Sequence, residues 1–527
     1  MDRMRWLACL LWIAGCTVAH PAPQVPEPPS TTLQANARDW RSRVFYEAWI
    51  RSMQDSDGDG IGDLRGMVDR LDELADLGIG GIWLMPIFPS PLADSGYDVS
   101  DYTDIHPDYG TLTDFDAFVD AAHEHGILVW LDMVFNHTSD QHDWFQSALT
   151  GPSSPYFDYF VWATEPVTTC SDVPPIHPFG PDRWTYVKDL DLYYFHQFLP
   201  RQPDLNLANP RVQDAVLDVL RFWMDRGVDG FRFDVPDRYI ESGNFCSHTT
   251  ATAAFHKRLR EVIGGPDGNA RGFVGEIWGT FEQNHDFFGK DADPAIFNFE
   301  LMFALYEMLL GGSNRAAAAA VDLSLDTLRD DSVWALIIGN HDTPRIAEIL
   351  GDDPERLELA FSALLTLPGV PFIWMGDELG LTSGDTFRVD WRDGSRTPMP
   401  WDTTVPAYGF TSGTPHLPFA PNAARRTWSA QLSEAHSLLA HVRRLIHWRN
   451  ALPGLQTGDY RALHRDRQLW VFARGESVVG LNTSRLTTAV WPATLPGGTD
   501  LLSGETISAG TPLPPGAMIL LDPGVVK

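Results

Sequence analysis

Eight short apolar runs, separated by helical patterns, restrict the fold of this chain more than any other feature. They occupy residues 44–50, 81–84, 127–134, 228–233, 272–275, 296–299, 334–338 and 370–374. Near-continuous hydrophobicity marks strands buried on both faces, and strands alternating with helices form a parallel sheet with helices packed outside it. Eight such units predict an α/β protein of the (β/α)8 TIM-barrel type. Between Asp114 and His125, the spacing of Phe115, Phe118, Val119 and Ala122 predicts one buried helical face. A doubly wound open sheet is the alternative, but no phosphate-binding glycine pattern supports it.

The connections divide the chain further. Roughly 70 residues separate the third strand from the next helix, far beyond an ordinary loop, and their richness in Trp, Tyr and Phe predicts an inserted subdomain over 138–205. The barrel then takes 40–137 and 206–453. From 454 to 527 the pattern changes to short alternating strands with Gly and Pro turns, which predicts a C-terminal antiparallel β-sandwich domain.

Residues 1–16 join Arg3 and Arg5 to an apolar run ending in Gly15-Cys16, too short to span a bilayer and read as an export signal. Ile13-Ala14-Gly15-Cys16 resembles a bacterial lipoprotein processing site. It implies a chain exported and lipid-anchored to an envelope membrane at Cys16, with simple secretion as the alternative. A Pro-rich linker follows at 17–39. With 39 basic against 70 acidic residues and a formal net charge of −31, nucleic acid is not an expected partner. Cys170 and Cys246 are left to pair or to remain thiols.

Three acidic motifs sit at or just past predicted strand ends: Gly230 to Asp234, Val274 to Glu276, and Gly339 to Asp342. In a barrel their carboxylates converge at one mouth. A pair of carboxyl groups, one ionised to attack and one protonated to release the leaving oxygen, is the equipment for breaking a glycosidic bond. Arg232 is expected to hold Asp234 ionised, and apolar Val274, Ile277 and Trp278 to raise Glu276 into the range of a general acid.

With these motifs the chain resembles the alpha-amylase family of glycoside hydrolases, over roughly residues 40 to 527. Asp132 to His137 is similar to its first motif, 230–234 to its second, 273–278 to its third and 338–342 to its fourth. Gln202-Pro-Asp-Leu-Asn206 resembles the further motif of the alpha-glucosidase and trehalose synthase branches. The resemblance implies Asp234 as nucleophile, Glu276 as acid and base, and Asp342 as a third carboxylate gripping sugar hydroxyls, with substrate contacts from His137, Arg232 and His341. It also implies Tyr97 as a platform for a terminal glucose and Asp98 as a clamp on its hydroxyls. Arg392 or Arg396, the latter favoured, is the candidate to pair with Asp98 and close the pocket.

The run from Asp55 to Asp63 places carboxylates at alternate positions between glycines, which suits a hard cation. Calcium leads, with magnesium possible. Gly66 stands where an EF-hand would have its closing Glu. The resemblance points instead to Asp55, Asp57, Asp59, Asp63 and the Ile61 carbonyl as ligands of a structural ion. The expected substrate is a short alpha-linked oligosaccharide and the expected reaction retaining, exo-acting hydrolysis. Glucosyl transfer or isomerisation of the trehalose synthase kind is the alternative, and internal cleavage of starch a further one.

Overall fold

The computed structural model describes residues 25–34, 36–167, 170, 182–265, 271–289, 293–329, 332–384, 392–521 and 524. The export signal, with Cys16, and the linker up to residue 24 lie outside the described residues. Eight parallel strands close into a barrel: Phe45–Ala48, Gly81–Leu84, Leu128–Met133, Gly230–Phe233, Gly272–Gly275, Ala295–Phe297, Val333–Leu336 and Val370–Trp374. They follow one another around the barrel in chain order, and the first pairs with the eighth, Phe45 opposite Phe372. Each apolar run of the sequence overlaps one of these strands, with the sixth and seventh strands starting one residue earlier than their runs. Among the described residues no helix is long and apolar enough to cross a membrane.

The helices form where the sequence places caps beside an apolar face. In Leu112–Glu124, the Thr111 hydroxyl accepts from the Asp114 backbone N–H and Asp114 reciprocates, closing a capping box. Its buried residues are Phe115, Phe118, Val119 and Ala122, the face that the spacing predicts.

Large rings fill the barrel interior. Trp40, Phe45, Trp83, Trp130, Phe297 and Phe372 form one cluster with Leu128 and Val274, so the barrel is a packed core whose upper strand ends stay fixed. Glycines make room for these rings. A Cβ on Gly230 would lie 2.5 Å from the Trp130 indole, and one on Gly272 would lie 2.6 Å from Trp40. The fourth and fifth strands, which carry the first two acidic motifs, therefore begin with glycine for reasons of volume.

The inserted segment forms a three-stranded antiparallel sheet in the spatial order Trp162–Ala163, Leu192–Phe195, Trp184–Val187. Cys170 of this subdomain is disulfide-bonded to Cys246, in the loop after the fourth strand, with Cα atoms 4.7 Å apart. That settles a pairing the sequence leaves open. Beyond the barrel, Tyr460–Arg465, Leu469–Arg474, Ser477–Asn482 and Met518–Leu521 form a four-stranded antiparallel sheet. Two two-stranded ribbons accompany it, and Val471, Val478, Trp491, Ile507 and Leu513 join ribbons and sheet in one apolar cluster. The second layer of this domain is thus two short ribbons. The last part of the linker lies on the barrel, with the Gln34 carbonyl accepting from Arg43 and the Leu33 carbonyl passing where Gly126 has no side chain.

Gly230→Ala should destabilise the fold by about 1–3 kcal/mol, the usual cost of forcing a methyl group into a filled core. Chemical denaturation of the two proteins checks this, and equal midpoints would show that the interior has slack around Trp130.

Candidate active site

The barrel delivers its acids to a common centre, and the centre is a guanidinium. Arg232, on the fourth strand, is buried, and its Nη1 donates to Asp132 Oδ1 at 2.7 Å and to Asp234 Oδ1 at 2.9 Å. Its Nη2 donates to Oε2 of Glu276. Asp132 is next to last in the third strand, Asp234 follows the fourth and Glu276 the fifth, so one side chain ties three neighbouring strand ends together. Val235, next to Asp234, has a φ of 36°, a left-handed conformation costly for a β-branched residue. The chain turns sharply there, immediately after Asp234.

A second cluster lies against the first. The Tyr97 hydroxyl donates to Asp132 Oδ2 at 2.9 Å and lies 2.7 Å from His341 Nε2, with the two rings stacked 5.4 Å apart. Asp342 Oδ1 accepts from Arg392 and from Arg396, each at 2.9 Å. Arg392 also donates to Asp94, whose other oxygen accepts from the Gln202 amide at 2.9 Å. Gln202 reaches His137 as well, at 3.1 Å, and His137 lies 3.0 Å from the Tyr97 carbonyl. Loops after the second, seventh and eighth strands thus meet through Asp94, Arg392 and Asp342.

Asp98 does not take the place expected for it. It is fully buried, and its carboxylate accepts from the Ser90 hydroxyl and from the backbone N–H groups of Ala93 and Asp94, at 2.8 to 3.0 Å. It pins its own loop, and neither Arg392 nor Arg396 pairs with it. Asp94, four residues earlier, is the acid that faces Arg392. Two further residues join the site, one from within a motif and one from outside any. Trp278 donates its indole N–H to Glu276 Oε1 at 2.8 Å while its half-exposed ring stacks on Phe299 at 3.7 Å. Glu47, on the first strand, is hydrogen-bonded to Nδ1 of His341. Only the Gly-Glu-Ile-Trp spacing signalled Trp278; a single acid inside an apolar run gave no signal for Glu47.

The electrostatics follow from sharing one cation among several acids. Burial pushes Glu276 up to about 8, with Asp234 and Asp342 adding to the effect and Arg232 and Trp278 opposing it. Burial also pushes Asp234 up to about 7, against Arg232 and with help from Asp132 and Asp342. Arg232 therefore does not hold Asp234 below the usual carboxylate range, because its charge is divided among Asp132, Asp234 and Glu276. The two groups titrate as a pair, both raised by burial, and near neutrality the pair retains a proton. Asp342 behaves differently: burial would raise it, but the positive charge around it outweighs burial and holds it well below the ordinary value, from His341 only when its ring is protonated and from Arg392, Arg396 and Arg232 always. Burial lowers His137 to about 4, leaving it a neutral imidazole.

The acidic loop gathers Asp55, Asp57 and Asp63, each offering an oxygen within 4.8 Å of the others. Gly58 and Gly60, at φ of 89° and 96°, supply the left-handed turns that fold the loop inward. Three convergent carboxylates fit a hard cation. Asp59 is outside the cluster and accepts the Ile61 N–H at 2.7 Å. Four further oxygens surround the Gln197 amide nitrogen: Asp204 at 2.9 Å, the Arg238 carbonyl at 3.2 Å, Asn136 at 3.3 Å and Glu241 at 3.4 Å. One amide has two hydrogens for these four acceptors. Burial raises Asp204 to about 7, and burial with the repulsion of Asp204 raises Glu241 to about 8.

A barrel carrying paired carboxyl groups at its strand ends, one ionised and one protonated, defines an enzyme that processes glycosidic bonds. Residues 48–458 match the family described as "Alpha amylase, catalytic domain", and the chain belongs to that family. It is 34% identical over 481 residues to the trehalose synthase/amylase TreS of Mycolicibacterium smegmatis, covering 82% of this chain and 79% of that protein. It is 35% identical over 502 residues to a probable alpha-glucosidase of Rhizobium meliloti, covering 85% and 89%. The alpha-glucosyl transfer enzyme XgtA superposes with a TM-score of 0.82 at 31% identity, over 91% of this chain and 98% of that one.

Carboxyl groups whose folded pKa is raised stabilise the fold below their unfolded pKa and lose that contribution as pH rises through the folded value. With a chelator present, the unfolding temperature should therefore fall between about pH 4.5 and 8, and Glu241→Gln should flatten that fall; an unchanged slope would show that Glu241 is not held neutral.

Proposed function

We propose that this chain is a retaining, exo-acting alpha-glucosidase that removes terminal glucose from short alpha-linked oligosaccharides. The observation that carries the reading is the Arg232 guanidinium touching both Asp234 and Glu276. That bridge keeps both carboxyl groups within reach of one guanidinium, compatible with the roughly 5–5.5 Å spacing of a covalent mechanism. In the first step Asp234 attacks the anomeric carbon and Glu276 gives its proton to the departing oxygen. In the second Glu276, now ionised, takes a proton from water, which displaces Asp234 and restores the carboxyl group. Asp342, held ionised, and His137 and His341, held neutral, are placed to fix the sugar hydroxyls. The Asp94–Arg392–Asp342 link supports a closed pocket accepting a chain end.

Glucosyl transfer or isomerisation is a second reading, favoured by the trehalose synthases among the relatives. Trp278 bears on the choice: its exposed ring lies beside the acid, where an acceptor sugar or a water would arrive. Calcium at Asp55, Asp57 and Asp63, bracing the loop after the first strand, completes the proposal; the notion that Asp59 and the Ile61 carbonyl add ligands rests on the family resemblance. Export, with lipid anchoring at Cys16, is supported by the Cys170–Cys246 disulfide, which belongs to an oxidising compartment.

Incubation with maltose, isomaltose, sucrose and trehalose, followed by separation of products, tests the reaction. Glucose released first as the α anomer supports the proposal, whereas a disaccharide isomer as main product from maltose or sucrose supports transfer. Glu276→Gln should retain substrate binding and lower kcat by about 10² to 10⁴; unaltered turnover would remove Glu276 from the chemistry.

A further inference from the structure

Glu47 takes no part in the steps above, yet it is a fully buried acid beside the pocket. Its Oε1 is hydrogen-bonded to Nδ1 of His341, and its Oε2 is buried without a hydrogen-bond partner. On the other edge of the imidazole, Nε2 lies 2.7 Å from the Tyr97 oxygen and 3.3 Å from Asp342 Oδ2.

Counting hydrogens fixes the direction of this chain. Tyr97 has one hydroxyl hydrogen, and Asp132, ion-paired to Arg232, accepts it. The Tyr97 oxygen is left as an acceptor, so Nε2 of His341 must carry hydrogen. Two states provide that: an imidazolium facing an ionised Glu47, or a neutral imidazole whose Nδ1 accepts from a protonated Glu47. The surroundings decide between them. Burial, the largest influence, disfavours charge on both groups; Asp342 favours a cation on His341 but Arg396, Arg232 and Arg392 disfavour it, and Arg232 and the His341 backbone N–H favour an anion on Glu47 but Asp342 and Asp132 disfavour it. An ionised carboxylate would also leave Oε2 as an unsatisfied charged oxygen away from water, a worse arrangement than an unsatisfied carbonyl oxygen.

We propose that Glu47 is a positioning residue, a neutral carboxyl group that donates to Nδ1 of His341 and so locks that ring as a hydrogen donor through Nε2. A sugar hydroxyl lying between His341 and Asp342 then shares the Nε2 hydrogen with Tyr97 and gives its own to the carboxylate, which a ring protonated at Nδ1 alone does not allow. The effect on turnover rests on the glucoside reading; the state of the ring does not.

Two measurements test this. Glu47→Leu, which leaves Nδ1 without a donor, should lower kcat/KM by about tenfold to hundredfold. Glu47→Gln, whose amide N–H also donates to Nδ1, should recover most of that loss. A glutamine variant as impaired as the leucine variant would overturn the proposal. Without any Glu47 variant or substrate, ¹⁵N spectra of ring-labelled wild-type protein report the His341 nitrogens, assigned by their loss in a folded His341→Ala protein. A bare Nδ1 and a protonated Nε2 between pH 6 and 8 are expected; a doubly protonated ring would contradict the neutral carboxyl group. Should the ring state hold in a protein that leaves every glucoside intact, the glucosidase reading fails and this one stands.

Discussion

One buried cation shared by three carboxyl groups is the constraint on which the active site depends. Arg232 has almost no exposure, and Asp132, Asp234 and Glu276 crowd around it. Removing such a charge from water costs several kcal/mol, so it persists only because its partners are held in place around it. A single positive charge cannot neutralise three acids in a dry site. The excess appears as a proton retained by the pair Asp234 and Glu276, and a retaining mechanism needs one proton on one of two carboxyl groups.

The rest of the molecule serves to hold those partners still. The aromatic filling of the barrel fixes the strands, and the strand ends present Asp132, Asp234 and Glu276 at adjacent positions. Loops add the second layer, in which Asp342 is gripped by Arg392 and Arg396 and thereby stays ionised close to acids that do not. Three carboxylates in one pocket thus acquire different protonation from their neighbours alone. The disulfide between Cys170 and Cys246 joins the inserted subdomain to the loop that follows the strand of Arg232.

Much of this was legible in the sequence because it depends on local pattern. Apolar runs show which segments are buried strands, and an acid placed just after such a run must emerge at the barrel mouth. The pairing of side chains from distant loops was not legible. Asp94 and Asp98 flank the same Ser95-Gly96-Tyr97 turn, and which one meets Arg392 is decided by left-handed backbone at Ser95 and Gly96, with φ of 52° and 110°. Spacing does not report that reversal. Likewise Glu47 looks like an isolated acid in a strand until His341, nearly 300 residues later, is seen beside it. The shift of Asp234 was misjudged for the same reason: the sequence shows its neighbour Arg232 but hides the other acids that draw on the same charge.

The most direct test of the shared guanidinium is the replacement Arg232→Lys, assayed on the best glucoside substrate with folding verified by circular dichroism. A lysine ammonium is a compact charge that lacks the forked geometry to reach three carboxyl groups on two sides. The account predicts a folded protein whose kcat/KM falls by about 10² or more, since Asp234 and Glu276 lose their common anchor. Activity within a few-fold of the parent would mean that a positive charge suffices and that the bridge between Asp234 and Glu276 is not what organises the site.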